Sequence, residues 1–307
     1  MSDRPEETAD VTNVDCTGTT ALVTGSTNGI GRAAALALGR LGAHVVVHGR
    51  DTEAGEAVVA ELSRTPGSGT FARADFADTD DVRALAETVR TETDGLDLLV
   101  NNAGGLFREG RLTDVGVDYT FHVNHLSPYL LTAELLDHLA SGARVVTTAS
   151  AAHQGSTLDL ERVTRPDGGG GAYGHSKLAN VLFSAELARR LDAAGRAVTA
   201  NSLHPGAIPG SGFTRFLPGP LSRAADALSF VPGTASVADG AAEVLFVGVS
   251  PRTADVTGRY FSDLSPSTPS EAARDRDAAR RLWSRSAELL GVEEPLSGYG
   301  DRSVTPS

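Results

Sequence analysis

Lys177 is the only lysine in this chain of 307 residues, and it lies four positions after Tyr173. Lysine and arginine together number 27, so arginine supplies every other basic side chain. A tyrosine and a lysine at i and i+4 share one helix face, where the ammonium can lower the phenol pKa from about 10. An arginine would lack the compact ammonium and its three rotatable donors. The pair therefore predicts a general acid–base tyrosine; the alternative is a surface lysine retained by drift.

A glycine-rich loop lies between the first predicted strand and the first predicted helix. Residues 19–24 form an apolar, β-forming run, and residues 31–41 are rich in Ala and Leu. Backbone N–H groups in such a loop can bind a pyrophosphate at the helix N-terminus, and glycine permits the turn and the close approach. A tight turn that happens to contain glycine is the alternative, although the position between strand and helix favours dinucleotide binding. The loop residues predicted to contact the cofactor are Gly25, Ser26, Asn28, Gly29, Ile30 and Gly31.

The end of the second predicted strand indicates which dinucleotide binds. In such folds a carboxylate about 20 residues beyond the glycine motif binds the ribose 2′-OH of NAD, whereas a nearby arginine suits the 2′-phosphate of NADP. Here Gly49 occupies the carboxylate position, and Arg50 follows it. Asp51 is better explained as an N-terminal helix residue. The sequence therefore favours NADP(H) over NAD(H).

Strands alternate with helices along most of the chain, which predicts an α/β protein with a parallel, doubly wound sheet. Buried strands are predicted at residues 19–24, 43–48, 70–74, 96–100, 143–148, 197–203 and 258–261. Helices are predicted at residues 31–41, 52–64, 79–93, 115–140, 172–194, 235–246 and 271–290, with a loop at 168–171. We expect a flexible tail over 1–17, one domain over 18–291 with a substrate flap at about 207–233, and a C-terminal tail over 292–307.

Composition excludes several classes of function. The formal net charge is -12 and the pI about 5.1, which argues against nucleic acid or an anionic membrane as a partner. The single cysteine, Cys16, excludes an internal disulfide and a cysteine-based metal cluster. No apolar stretch reaches transmembrane length and the first residues do not form a signal peptide, so we expect a cytoplasmic protein. The acidic, lysine-poor composition fits either a salty cytoplasm or a GC-rich genome.

With the glycine loop and the Tyr173–Lys177 pair established, the chain resembles a short-chain dehydrogenase/reductase. Further motifs of that family follow in order at the expected places. They are Asp75 after the third strand, Asn101-Asn102-Ala103-Gly104 after the fourth, Asn124 in a helix, Ser150 after the fifth strand and Pro205-Gly206 after the sixth. The resemblance covers residues 18 to 291 and implies a single-domain Rossmann fold whose doubly wound, seven-stranded parallel sheet is flanked by helices.

Within that family the chain is most similar to the retinol-dehydrogenase-like group. Residues 123–132, 175–183 and 202–206 carry this likeness, together with 260–263 and 281–291. The group implies an NADP-dependent oxidoreductase that interconverts an alcohol and an aldehyde or ketone. Two departures are expected from the sequence: its first residues do not resemble the membrane-anchoring N-terminus of animal members, and Gly210 stands where the family often has a Thr or Ser that contacts the cofactor.

The resemblance assigns a role to each motif residue. Tyr173 is the general acid or base, Lys177 favours its phenolate and holds the nicotinamide ribose, Ser150 binds the substrate oxygen, and Asn124 anchors a water linked to Lys177. No metal is required. Besides the loop, Arg50, Tyr173 and Lys177, the cofactor-binding residues expected are Asp75, Asn101, Ala103, Gly104, Pro205, Gly206 and Ile208.

Other assignments stay open at this point. A non-catalytic member that senses a cofactor or contacts a protein is the alternative function, although such members usually lose Ser, Tyr or Lys and all three are present here. His153, His175 and His204 are better explained as packing or loop residues. The small-molecule alcohol or carbonyl substrate is not identified. Dimers and tetramers are usual in the family, so a homodimer or homotetramer is the expectation.

Overall fold

The computed structural model describes residues 4–206 and 235–299. Short runs of Val, Leu and Ala form its strands, since residues buried on both faces of a parallel sheet must be apolar. The strands are β1 (Thr20–Val23), β2 (His44–Gly49), β3 (Ser68–Arg73), β4 (Leu96–Asn101), β5 (Leu139–Thr148), β6 (Thr199–Leu203), β7 (Tyr260–Ser262) and β8 (Ser265–Ser267).

Within the described residues these strands form a single sheet in the order β3-β2-β1-β4-β5-β6-β7-β8. Every neighbouring pair from β3 to β7 is parallel, which confirms the predicted doubly wound α/β sheet. The predicted strand number was wrong, because the sheet has eight strands and β8 pairs antiparallel with β7. Asp263 and Leu264 both have φ of 55°, so a tight turn reverses the chain and adds a short edge strand.

Helices cover both faces of the sheet. They are α1 (Pro5–Thr8), α2 (Gly29–Arg40), α3 (Thr52–Leu62), α4 (Thr79–Glu92), α5 (Tyr119–Phe121), α6 (Ser127–Leu135), α7 (Gly169–Ala193), α8 (Val237–Val249) and α9 (Arg276–Leu290). Alternate residues of a strand enter different cores: Leu22 and Leu99 pack under α4, α6, α7 and α9, whereas Val23 and Val100 pack under α2, α3 and α8.

Two helix predictions differ from the structure. The segment 115–140 is not one helix: it begins as a turn, Asp118 forms an isolated bridge with Leu112, and a π-helical turn (His122–Leu126) separates α5 from α6. Its end, Leu139, already belongs to β5 and pairs with Leu96. The predicted loop at 168–171 is largely helical, since α7 begins at Gly169. Glycine has a low helix propensity, so tertiary packing decides this start.

The N-terminal segment is not a flexible tail in its described part. Glu6 of α1 is 1% exposed, and both of its carboxylate oxygens accept hydrogen bonds from Arg40, at 2.6 and 2.7 Å. Ala9 and Val11 are buried in the same core as α2 and α8. The segment is therefore part of the domain, and its attachment is to a residue 34 positions away.

The C-terminal boundary also extends further than predicted. Trp283 of α9 donates its indole N–H to the carbonyl of Pro295 at 3.2 Å, and Glu294 pairs with Arg190 at 2.8 Å. The chain after residue 291 therefore packs back against α7 and α9. The predicted flap at 207–233 lies outside the described residues, together with residue 234 and residues 300–307. In the described part of the chain, no helix has the length and apolar character to span a membrane.

Candidate active site

The residues predicted to act together lie at one edge of the sheet, beyond the carboxyl ends of its parallel strands. The glycine loop follows β1, Asn102 follows β4, Ser150 follows β5 and Pro205 follows β6. Strands β1 and β4 are neighbours although β2 and β3 intervene in sequence, so the winding of the sheet reverses between them. In open α/β sheets, a reversal of this kind creates the crevice in which ligands bind.

The glycine loop requires glycine at two positions for different reasons. Gly25 has a φ of 66°, a left-handed conformation that other residues adopt only with strain. Gly31 lies in the first turn of α2, close to the loop. A Cβ there would lie 2.4 Å from the carbonyl oxygen of Gly25. Asn28 is the exposed N-cap of α2, and its side chain makes no capping hydrogen bond. The loop therefore leaves the helix N-terminus accessible to an anion.

Thr24 holds the loop against the end of β4. Its hydroxyl oxygen donates to the carbonyl of Val100 at 3.1 Å and accepts from the backbone N–H groups of Asn102 and Ala103, at 2.9 and 3.0 Å. The amide of Asn102 donates in turn to the Thr24 carbonyl at 3.0 Å. Sequence reasoning missed both side chains, although a hydroxyl and an amide at the ends of adjacent strands could have indicated them.

His48 fixes the other side of the loop and was also missed. Its Nδ1 accepts a hydrogen bond from the backbone of Gly25 at 3.0 Å, so its Nε2 is protonated and donates to the carbonyl of Ala74 at 3.2 Å. Burial lowers the pKa of His48 to about 4, and the ring is therefore neutral. The hydroxyl of Ser26 donates to Val23 and accepts from the backbone of His48. Three strand ends are thereby tied to the glycine loop.

Arg50 and Asp75 lie beside each other next to this loop. A guanidinium nitrogen of Arg50 is 3.6 Å from a carboxylate oxygen of Asp75, and the two side chains are 62% and 35% exposed. Gly49 has no room for the carboxylate that binds a ribose in NAD-dependent relatives of the fold, since a Cβ there would lie 2.4 Å from the side chain of Thr27.

Tyr173 and Ser150 meet between α7 and the end of β5. The two hydroxyl groups hydrogen-bond, and this bond acts against burial, which raises the pKa of Tyr173. The ammonium of Lys177 lies 5.6 Å from the centre of the Tyr173 ring. Lys177 was predicted to lower the phenol pKa, but burial raises it, and the opposing effect comes from the hydrogen bond with Ser150.

The ammonium of Lys177 is buried, and among the described residues one backbone oxygen accepts from it. It donates to the carbonyl of Thr148 at 2.8 Å, and the residue is 3% exposed. Burial lowers the pKa of Lys177 to about 8, so the side chain is still predominantly charged at neutral pH. Two of the three ammonium protons remain for other acceptors.

Asn124 lies in the π-helical turn, a distortion that is frequent at functional sites. Its side chain forms two hydrogen bonds with the backbone of Gly105, both at 2.9 Å, and donates to the hydroxyl of Ser176. A Cβ on Gly104 would lie 2.6 Å from the Asn124 oxygen and 3.7 Å from the Lys177 nitrogen. The structure therefore brings Asn124 and Lys177 together across Gly104. The predicted water anchored by Asn124 stays a prediction.

Some predicted cofactor residues are placed differently. The side chain of Asn101 is 2% exposed and donates to Thr132 at 3.0 Å, so it lies in the core and only its backbone is at the sheet edge. Ile30, in α2, is half-buried and packs against the core that lies under α2, α3 and α8. Pro205 and Gly206 are half-buried after the end of β6. Ile208 lies outside the described residues.

Two histidines near the site have the local roles that the sequence predicted. His153 accepts from the backbone of Ser270 at 3.1 Å and its other nitrogen bonds the carbonyl of Ser150 at 2.7 Å. His175 lies between Tyr173 and Lys177 in sequence but turns away and accepts from the backbone of Asp159. The described residues contain no cluster of metal-ligating side chains.

A doubly wound sheet with a glycine loop at its winding reversal, and with Ser150, Tyr173 and Lys177 at the same edge, defines a Rossmann-fold oxidoreductase. The chain belongs to the short chain dehydrogenase family, whose family model matches residues 19–216. Retinol dehydrogenase 13 of Homo sapiens is 36% identical over 298 residues, which cover 91% of this chain and 86% of that protein. The predicted family and its retinol-dehydrogenase-like group are therefore confirmed.

Solved structures agree with this assignment. A short chain dehydrogenase from Burkholderia cenocepacia in complex with NADP is similar with a TM-score of 0.65 and 32% identity, over 84% of this chain and 99% of that chain. An angucycline C-6 ketoreductase with bound NADP has a TM-score of 0.66 and 29% identity, over 81% and 95%. The chain is an oxidoreductase that uses a nicotinamide cofactor and acts on alcohol or ketone groups.

Proposed function

We propose that the protein interconverts an alcohol and an aldehyde or ketone with NADP(H), and that Tyr173 is its general acid and base. One observation carries the proposal: the Ser150 and Tyr173 hydroxyls form a hydrogen bond, and the Lys177 ammonium lies 5.6 Å from the centre of the Tyr173 ring. A developing alkoxide needs a proton and hydrogen-bond donors, and this group of side chains supplies both.

In the reductive direction, Tyr173 donates its phenolic proton to the carbonyl oxygen of the substrate. Its raised pKa keeps it protonated at neutral pH. Ser150 donates a hydrogen bond to the same oxygen, and Lys177 stabilises the phenolate that remains. In the oxidative direction the phenolate removes the hydroxyl proton. When bound, the nicotinamide cofactor supplies or accepts the hydride.

The residues at the sheet edge fit a dinucleotide. Gly25, Gly31 and Gly104 lie where side chains would collide with neighbouring groups, so the backbone stays accessible. The accessible N-terminus of α2 suits the pyrophosphate, and the remaining protons of Lys177 suit ribose hydroxyls. The cofactor contacts predicted for the glycine loop, Asp75, Ala103, Gly104, Pro205 and Gly206 are part of this proposal.

The test of the catalytic proposal is a Tyr173→Phe variant. We expect it to lose at least about 1000-fold in kcat, because the proton donor is gone, and to bind NADPH with a Kd close to that of the wild type. Tyr129→Phe is the matched control, because Tyr129 is a buried tyrosine whose hydroxyl has no hydrogen-bond partner among the described residues. Near-wild-type turnover by Tyr173→Phe would contradict the proposed role, and so would a comparable loss in Tyr129→Phe.

The preference for NADP(H) rests on Arg50, whose guanidinium lies at the end of β2 beside the carboxylate of Asp75. We propose that Arg50 binds the 2′-phosphate, as the NADP-bound state of two structural neighbours supports. Arg50→Ala should raise KM for NADPH about tenfold and leave KM for NADH unchanged. Arg73→Ala is the control, because Arg73 forms an equivalent exposed pair with Asp81 at 3.6 Å. Equal changes in KM for NADPH and NADH would show that Arg50 does not bind the 2′-phosphate.

We propose a carbonyl compound of medium size as the substrate, and the activities of similar proteins support this class. One neighbour is named as a ketoreductase of an angucycline and one relative as a retinol dehydrogenase. A screen of NADPH oxidation across aldehydes, aromatic ketones and retinal, with NADP⁺ and the matching alcohols, would identify it. The cytoplasmic location and the homodimer or homotetramer stay predictions.

A further inference from the structure

A second donor shares the carbonyl that holds Lys177. The side-chain amide of Asn180 donates to the Thr148 oxygen at 3.3 Å, beside the 2.8 Å bond from Lys177. Positions 177 and 180 are three residues apart on α7, so both side chains face the end of β5. Asn180 is 2% exposed. It therefore lies in the protein interior, next to the lysine at the shared carbonyl.

A histidine lies beside Asn180. The amide of Asn180 influences the pKa of His125, from the π-helical turn, but His125 Nδ1 and the Asn180 amide oxygen have no hydrogen-bond partner among the described residues. The Ser286 hydroxyl donates to the carbonyl of Leu282 at 2.8 Å, so its oxygen accepts from His125 Nε2 at 2.9 Å. The proton of His125 is therefore on Nε2, and His125 is held by α9 and not by Asn180.

We propose that Asn180 is a positioning residue that fixes the Thr148 carbonyl and through it the direction of the Lys177 ammonium. The inference rests on the proposed function, in which Lys177 must hold the ribose and stabilise the Tyr173 phenolate at the same time. A lysine head group has three rotatable donors, so it needs a fixed acceptor to point the other two protons correctly.

The surroundings of Lys177 explain why a carbonyl has this role. Burial is the cause of its lowered pKa. On its own helix, the titratable group beside the ammonium is Tyr173, one turn earlier, whose ring centre lies 5.6 Å away. The π-helical turn contributes His125, which burial keeps neutral, and α9 contributes the uncharged Ser286. Since no carboxylate of the described residues pairs with the ammonium, its orientation there depends on neutral hydrogen bonds.

The experiment compares Asn180→Leu and Asn180→Asp with the wild type, measuring kcat, KM for NADPH and the pH profile of carbonyl reduction. Asn180→Leu should lower kcat about tenfold with a smaller change in KM, because the carbonyl and the ammonium lose their restraint. Asn180→Asp places a carboxylate near Lys177 and Tyr173, which raises both pKa values. The alkaline limb of the profile, where Tyr173 loses its proton, should then move up by about one pH unit.

Two further variants make the result specific. Ser184→Ala is the control, because Ser184 is equally buried on α7 but donates to the backbone carbonyl of Asn180 instead of to Thr148. It should retain the wild-type kcat and pH profile. His125→Phe is a second control, because Nδ1 of His125 has no hydrogen-bond partner among the described residues and its ring lies next to those of Phe121 and Phe183. It should retain a kcat within about twofold of the wild type.

The outcomes separate this inference from the proposed function. If Tyr173→Phe is inactive while folded Asn180→Leu has wild-type kcat, only the positioning role is overturned. If Tyr173→Phe is active, the proposed function itself fails. A tenfold loss in Asn180→Leu that is matched by Ser184→Ala would indicate general disruption of α7 and would also overturn the inference. Should Asn180→Asp not fold, the kcat values of Asn180→Leu and Ser184→Ala decide the question.

Discussion

Lys177 is both buried and charged, and these two properties oppose each other. Its ordinary pKa of 10.5 falls to about 8 through burial. At about 1.4 kcal/mol for each pKa unit, keeping the ammonium charged at neutral pH costs the folded protein on the order of 3 kcal/mol. The lysine is therefore retained at the expense of stability, as is common for groups in active sites.

A Lys177→Met variant should be more stable than the wild type at neutral pH and inactive. The folded-state pKa of the lysine lies below its unfolded value, so the wild type gains stability as the pH rises from about 8 towards 10.5. Met should remove this rise, because it has a similar length and no charge. Urea unfolding at neutral and alkaline pH measures both effects, and Lys177→Arg, expected to be inactive and less stable, is the comparison. A less stable Met variant would contradict the stated cost.

The hairpin of β7 and β8 is attached to α8 by a buried carboxyl group. Glu243 of α8 is 4% exposed, and one of its oxygens accepts from the backbone of Leu264 at 2.8 Å. Its other oxygen has no hydrogen-bond partner in the described residues. Burial, together with the charge of Asp263, raises the pKa of Glu243 to about 7. The folded protein is therefore more stable when this carboxyl is protonated.

Glu243→Gln should stabilise the protein in alkaline but not in acidic solution. The folded-state pKa of about 7 lies above the ordinary 4.5, so the wild type loses stability as the pH rises through this interval. Gln can still accept from Leu264 and never carries a charge. We expect a gain on the order of 2 kcal/mol at around pH 8.5 and almost none at around pH 4.5. Thermal unfolding at both pH values tests this, and a gain independent of pH would show that ionisation of Glu243 is not its cause.

At the scale of the whole molecule, the terminal segments close the domain. The N-terminal segment covers α2 and α8 through Ala9 and Val11, and the segment after α9 folds back onto α7 through Glu294. Burial alone would raise the pKa of Glu6, but its hydrogen bonds with Arg40 lower it overall. The N-terminal attachment reaches the C-terminal end of α2, at Arg40, whereas the glycine loop meets the other end of that helix.

Glu6→Gln should lower the free energy of unfolding by about 2 kcal/mol and leave kcat unchanged, because it breaks a buried charged hydrogen bond far from the crevice. Glu7→Gln is the matched control: Glu7 is the next residue in α1, its side chain is 44% exposed, and its ion pair with Arg4 is 3.5 Å long. Exposed pairs of this kind contribute little. Denaturant unfolding of the two variants provides the comparison. Equal free energies of unfolding would contradict a stabilising role of Glu6 and support the predicted flexible tail.

Features that depend on neighbours in sequence could be predicted from the chain alone. The glycine loop, the alternation of strands and helices, and the spacing of Tyr173 and Lys177 follow from local conformational preferences. Strand positions were correct to within a few residues for the same reason. The eighth strand was missed because Ser265, Pro266 and Ser267 are poor strand formers, and a tight turn at Asp263 places them beside β7.

Only the tertiary structure decided how distant polar groups are paired. Lys177 meets a carbonyl 29 positions earlier, Asn124 meets the backbone of Gly105, and Glu6 meets Arg40. A sequence records that these residues are polar, but burial and partner choice depend on which strands and helices become neighbours. The sequence by itself thus determined the fold, the family and the candidate chemistry, whereas the packing of the elements determined which side chains hold that chemistry in place.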